Sequence, residues 1–111
     1  MKPVTLITGA SQGIGAATAR LLAAQGHSLL IHYAHQVDLA REVARQCLQL
    51  GSPHAIIAQA DVADEEQVLE LFAIADKSLP PLTGLVNNAG IVDQTSPLAG
   101  MSAARMQRML N

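Results

Sequence analysis

Thr8-Gly9-Ala10-Ser11-Gln12-Gly13-Ile14-Gly15 is the stretch whose residue types and spacing are best suited to chemistry. Glycine at 9 accepts the backbone angles of a tight exit from a strand, and glycine at 13 lets a pyrophosphate reach the main chain without striking a Cβ. Glycine at 15 allows a helix to pack closely on a strand. A helix beginning here turns its unpaired first-turn N–H groups toward an anion, with the positive end of its dipole behind them. The chemistry implied is capture of a nucleotide pyrophosphate. The spacing departs from G-x-G-x-x-G, and three glycines can also make a compact turn and nothing more. Position between a strand and an amphipathic helix favours the anion.

The elements that must hold this turn are legible around it. Val4 to Thr8 is a short β-branched run, and Ile14, Ala17, Leu21 and Ala24 then recur at helical spacing up to Gly26. A second cycle follows: Ser28 to His32 as strand, then Val37, Ala40, Ala44 and Cys47 as a helix stripe that stops at Gly51-Ser52-Pro53. In the third, His54 to Gln59 reads as strand, Asp64-Glu65-Glu66 suits a helix N-terminus, and Val68, Leu71, Phe72 and Ala75 form the apolar stripe. Gly84 to Asn87 is a fourth short strand, and Ser102 can cap a last helix with Met106, Met109 and Leu110. Strands alternating with helices mean βαβ units with right-handed crossovers. The fold class is therefore α/β, a Rossmann-type doubly wound parallel sheet of which about four βα units are present. With no repeat, linker or low-complexity tract, residues 1–111 read as the N-terminal part of one domain.

Two further patches follow strands, Asp61-Val62 after the third and Asn87-Asn88-Ala89-Gly90 after the fourth. Taken singly, the aspartate suits a helix-proximal cap and the asparagines suit a turn. Together with the glycine turn, in this order, they resemble the short-chain dehydrogenase/reductase family over Val4 to Asn111, as the first part of a longer member. The resemblance implies an NAD(P)(H)-dependent oxidoreductase that interconverts an alcohol and a carbonyl on a small molecule. It implies that Gly9, Gly13, Ile14 and Gly15 surround the pyrophosphate, that Asp61 and Val62 hold the adenine, and that Asn88, Ala89 and Gly90 line the ribose and nicotinamide side. It also implies a homo-oligomer, dimer or tetramer, built partly through the last helix. Ligands in open α/β sheets bind beyond the carboxyl ends of the strands, where all three motifs fall.

A carboxylate about 20 residues beyond the glycines would bind the ribose 2′-hydroxyl of NAD and repel a 2′-phosphate. This chain has His32-Tyr33-Ala34-His35-Gln36 there, with no acid. Ser11, Gln12, His32 and His35 offer donors, so His32 and Tyr33 join the expected cofactor residues and NADP is favoured over NAD. The histidines can also be solvated strand-end residues, weak anion partners while neutral.

The family's chemistry uses a serine and a Tyr-x-x-x-Lys pair. The single tyrosine here is Tyr33, with Val37 four places on, and the lysines are Lys2 and Lys77. No catalytic residue is therefore assigned, Asn111 falls just short of the family's relay asparagine, and the segment alone is expected to be inactive and truncated, its fourth strand an open edge that favours association. A net charge of −2 without a Lys/Arg cluster argues against nucleic acid, and no apolar run reaches membrane-spanning or signal-peptide length. The lone Cys47 makes no internal disulfide or metal cluster, which fits a cytoplasmic protein without a metal. A nonenzymatic dinucleotide-binding module is the alternative. A nucleoside-phosphate sugar epimerase or flavin enzyme on this scaffold fits less well, because of the glycine spacing and the Asn-Asn-Ala-Gly run.

Overall fold

The computed structural model describes residues 2–88. Ala89, Gly90, the expected last helix and Asn111 lie outside them. In chain order the elements are β1 (Val4–Ile7), α1 (Gly13–Ala24), β2 (Ser28–Tyr33), α2 (Val37–Leu50), β3 (Ala55–Gln59), α3 (Glu65–Ser78) and β4 (Gly84–Val86). All strand pairs are parallel, in the order β3-β2-β1-β4. Each expected strand and helix within the described residues is present, with ends shifted by a residue or two.

The strand order dictates the layers. The first two crossovers step the same way, β1 to β2 to β3, and a constant right hand puts α1 and α2 on one face. The third reverses past β1 to reach β4, and the same hand puts α3 on the other face. Residue alternation along the strands agrees. Ile7, Leu29 and Ile31 are buried with Ala16, Ala19, Ala23, Val43, Ala44 and Cys47. Val4, Leu6 and Leu30 are buried with Val68, Leu71, Phe72 and Ala75. Central strands covered on both faces must be apolar almost throughout, as Val4–Ile7 is.

Helix α1 exists as expected but turns a different face to the sheet. Its buried residues are Gly15, Ala16, Ala19 and Ala23, while Ile14 is 76% and Leu21 65% exposed. Alanines on several sides of this helix leave two stripes at helical spacing, and size decides between them. At Gly15 the helix lies so close to the strand exit that a Cβ would stand 2.3 Å from the Gly9 carbonyl oxygen, and small residues, Ala16, Ala19 and Ala23, continue the buried face.

Helix α3 carries its own start signal. The Asp64 carboxylate accepts from the Glu66 N–H at 3.0 Å and from the Gln67 side-chain amide at 3.2 Å, with Glu65 and Glu66 in the first turn. An Asp64→Ala variant is expected to lose about 1 kcal/mol of stability in urea unfolding. An unchanged midpoint would show that the first-turn charges suffice without the cap.

Candidate functional site

The strand order makes a crevice where the winding reverses, between β1 and β4, and the glycine turn lies at its mouth. Gly9 and Gly13 both have φ of 62°, in the left-handed region where a Cβ is penalised. A Cβ on Gly13 would meet nothing within 4 Å, so the main chain there is open to a ligand. At Gly15 a Cβ would stand 2.3 Å from the Gly9 carbonyl oxygen and 2.9 Å from the Asn88 amide nitrogen. The three glycines thus have the conformations and close approach read from their spacing.

Helix α1 begins without protection. Its N-cap, Gln12, makes no side-chain cap hydrogen bond, and the first turn has no acid. Among the described residues, the N–H groups of Gly13, Ile14 and Gly15 have no hydrogen-bond partner. The contrast with the capped and acidic start of α3 is physical: one helix dipole is answered within the chain, and the other has no such answer among the described residues.

From this turn a cleft of about 490 Å³ runs across the carboxyl ends of β1, β2 and β3. Gly9, Ser11 and Gln12 line it from the first loop, His32, Ala34, His35 and Gln36 from the second, and Gln59, Asp61 and Val62 from the third. Asp61 forms a turn in which one carboxylate oxygen accepts from the Ala63 N–H at 2.9 Å, while the other accepts no hydrogen bond among the described residues. The local turn and a ligand role are therefore compatible. Val62 reaches from the cleft into the α3-side core. Asn88 donates its side-chain amide to the Gly9 carbonyl at 3.1 Å, which brings the glycine turn and the fourth-strand motif together.

Two expectations at the end of β2 change. Neighbouring strand residues point to opposite faces, and His32 lines the cleft whereas Tyr33 is not among its lining residues. Tyr33 is half-buried against the α1–α2 side, and its carbonyl accepts from the Ala60 N–H at 3.2 Å. His32 borders the cleft but is 1% exposed, neither solvated nor a free donor. Its Nδ1 accepts from the Gly9 N–H at 2.8 Å and its Nε2 lies 2.8 Å from the Ala60 carbonyl oxygen. A backbone N–H on one nitrogen and a backbone carbonyl on the other select the neutral imidazole protonated at Nε2. Burial lowers its pKa below the ordinary histidine value, outweighing the Ala60 bond, which raises it. His35, by contrast, is exposed on the cleft wall.

Sequence reasoning assigned no role to the wall residues Ala34, Gln36 and Gln59. Gln59, paired with Tyr33 in register, donates its side-chain amide to the Ala34 carbonyl at 3.0 Å. Gln36 ends the loop before α2. Their position at strand and loop ends was the available signal. Among the described residues no cluster of three or more potential metal ligands occurs, and no helix is long and apolar enough to cross a membrane.

Residues 3–111 match the family model described as short chain dehydrogenase. The chain is 40% identical over 108 residues to the uncharacterized oxidoreductase YgfF of Escherichia coli (strain K12), covering 97% of this chain and 43% of that protein. It is 38% identical over 107 residues to a cis-4-hydroxycyclohexanecarboxylate dehydrogenase of Sinomonas cyclohexanicum, covering 96% of this chain and 42% of that one. Among solved structures, a doubly substituted Serratia marcescens short-chain dehydrogenase/reductase superposes with a TM-score of 0.84 at 28% identity, over 98% of this chain and 51% of the other. The chain thus spans about two fifths of the length of the curated relatives it matches.

Proposed function

Because the chain belongs to the short-chain dehydrogenase family, we propose that it is the dinucleotide-binding segment of an NAD(P)(H)-dependent oxidoreductase that interconverts an alcohol and a carbonyl. The observation that carries this reading is the uncapped, acid-free start of α1, opening onto a cleft that ends at Asp61 and Val62. The residues present fit the cofactor. First-turn N–H groups of α1 bind the pyrophosphate, with Gly13 leaving room for it and Ile14 beside it. Asp61 and Val62 hold the adenine, and Asn88, Ala89 and Gly90 are assigned to the ribose and nicotinamide side by family analogy. When bound, the cofactor supplies or accepts the hydride. No Tyr-x-x-x-Lys pair of the kind that moves the proton in this family occurs in these 111 residues.

NADP is the favoured cofactor, because the wall after β2 is Ala34, His35 and Gln36, with no carboxylate to repel a 2′-phosphate. Asp38, in the first turn of α2, is not part of that wall. An Ala34→Asp variant is expected to move the ratio of NADP⁺ to NAD⁺ affinity by about tenfold or more toward NAD⁺. Calorimetric titration of both dinucleotides checks this, and an unmoved ratio would place the 2′-phosphate elsewhere. The same titration of the unaltered protein tests the whole reading. Dinucleotide binding by this segment supports it, as does NADPH-dependent reduction of a ketone or aldehyde by a protein in which the segment is joined to a serine and a Tyr-x-x-x-Lys pair. Binding without turnover by such a longer protein favours a nonenzymatic module, and no binding by the segment removes both. The small-molecule substrate partner, homo-oligomer formation and a cytoplasmic location are part of this proposal, by family analogy.

A further inference from the structure

Gly9 is held from both sides by side chains of strands that flank β1. His32 at the end of β2 takes its N–H at 2.8 Å, and Asn88 just after β4 donates to its carbonyl at 3.1 Å. The backbone repeats the first contact, since the Ala10 N–H donates to the His32 carbonyl at 2.9 Å. A residue with φ of 62° at the start of an anion-binding turn is thereby fixed before any ligand arrives. The imidazole can do this only while neutral. Protonated at both nitrogens, it would turn an N–H toward the N–H of Gly9 and carry a charge at a site 1% exposed.

We propose that His32 is a positioning residue for the pyrophosphate-binding turn, and that dinucleotide affinity is consequently lost in acid through protonation of this single imidazole. The inference rests on the dinucleotide-binding reading above. Burial holds the pKa of His32 below the ordinary histidine value. The sign follows: at pH above the ordinary histidine value the neutral form prevails with or without the fold, and nothing is lost. As pH falls below it, and then through the lower folded value, the turn and its affinity are lost. Other ionisable groups near the imidazole are few. His35 lies on the cleft wall, Asp61 follows Ala60, and Asp64, Glu65 and Glu66 start α3, all of them exposed. The glycine turn, β1 and β4 contribute none.

Asparagine is the informative replacement. Its Oδ1 has the same place in the side chain as the histidine Nδ1, so it can accept from the Gly9 N–H, but it does not titrate. Calorimetric Kd values for NAD⁺ and NADP⁺ between pH 7.5 and 5 are the readout. For the unaltered protein, Kd is expected to rise about tenfold for each pH unit below the imidazole midpoint, in inverse proportion to the neutral fraction. His32→Asn is expected to bind more weakly than the unaltered protein at pH 7.5, because it gives up the Nε2 contact with the Ala60 carbonyl, but with a flat profile, and His35→Asn to keep the slope. A slope seen with NADP⁺ and absent with NAD⁺ would assign the proton to the 2′-phosphate and overturn the inference. So would a slope that survives His32→Asn or vanishes in His35→Asn. Should His32→Asn not fold, nitrogen NMR of the unaltered protein decides: a neutral ring protonated at Nε2, whose titration moves the Gly9 amide resonance, is expected, and the other tautomer or an unresponsive Gly9 refutes it. Failure of both dinucleotides to bind at pH 7.5 would sink the functional reading, while the NMR result separately judges the clamp.

Discussion

Replacing Gly15 by alanine is expected to remove most dinucleotide binding and to destabilise the fold by at least about 2 kcal/mol, the overpacking range for a site that cannot relax. The added methyl would sit 2.3 Å from the Gly9 carbonyl oxygen and 2.9 Å from the Asn88 amide. To restore the 3.4 Å of ordinary contact, loop and helix must part by about 1 Å. Neither can move cheaply. Gly9 is tied through its N–H to His32 and through its carbonyl to Asn88, and α1 is seated on the sheet by Ala16, Ala19 and Ala23. A shift of about 1 Å at such a site can lower turnover on the order of a hundredfold. Calorimetric titration with NADP⁺ and thermal unfolding check the two effects. Gly13→Ala separates clash from strain, because space at Gly13 is open and only its φ of 62° opposes a side chain, a penalty of about 1–2 kcal/mol. If Gly15→Ala binds and unfolds like the unaltered protein, the close approach of α1 to the strand exit is wrong.

Phe72→Ala should produce the largest loss of stability, about 3–5 kcal/mol, from lost transfer energy and the cavity left behind. Phe72 is the chain's only phenylalanine and 3% exposed, packed among Leu6, Leu30, Val68 and Leu71 on the α3 face of the sheet. Set against the total of about 5–15 kcal/mol that holds a typical domain, this approaches global unfolding. Urea denaturation is the measurement, and a change below about 1 kcal/mol would mean that α3 does not close this face. Leu21→Ala is the matched control on α1. Leu21 is 65% exposed, so truncation should stay within about 0.5 kcal/mol. A larger loss would restore the stripe of Ile14, Ala17, Leu21 and Ala24 as the buried face.

Open strand edges bear on how the chain behaves. Among the described residues β4 is the last strand on its side of the sheet, and β3 the last on the other. Each edge has backbone groups available to a further strand. The added strand of a longer family member and the edge of a second copy are chemically equivalent partners for β4.

Element order, strand and helix type, the α/β class and the place of the glycine turn were determined by the sequence itself. These are local properties: β-branched runs, helical periodicity, Asp64 before α3, and a glycine at 9 where the chain leaves its strand in a tight turn. The stripe of α3 was fully legible in the contrast of Val68, Leu71, Phe72 and Ala75 with polar neighbours, and that of α2 largely so in Ala40, Ala44 and Cys47, although Val37 is only half-buried and Val43, not read from the spacing, is buried beside them. In α1 that contrast is missing, and the buried face was decided by how near the Gly9 carbonyl lets the helix come. Tertiary structure also decided the parts played by His32 and Tyr33. Side-chain types alone offered both to the cleft, but strand alternation sends them to opposite faces, and only the folded chain brings the Gly9 N–H and the Ala60 carbonyl to one imidazole. The tie between Asn88 and Gly9 spans 79 residues. No local signal encodes such a contact, because it exists only once the third crossover has returned past β1 and laid β4 beside it.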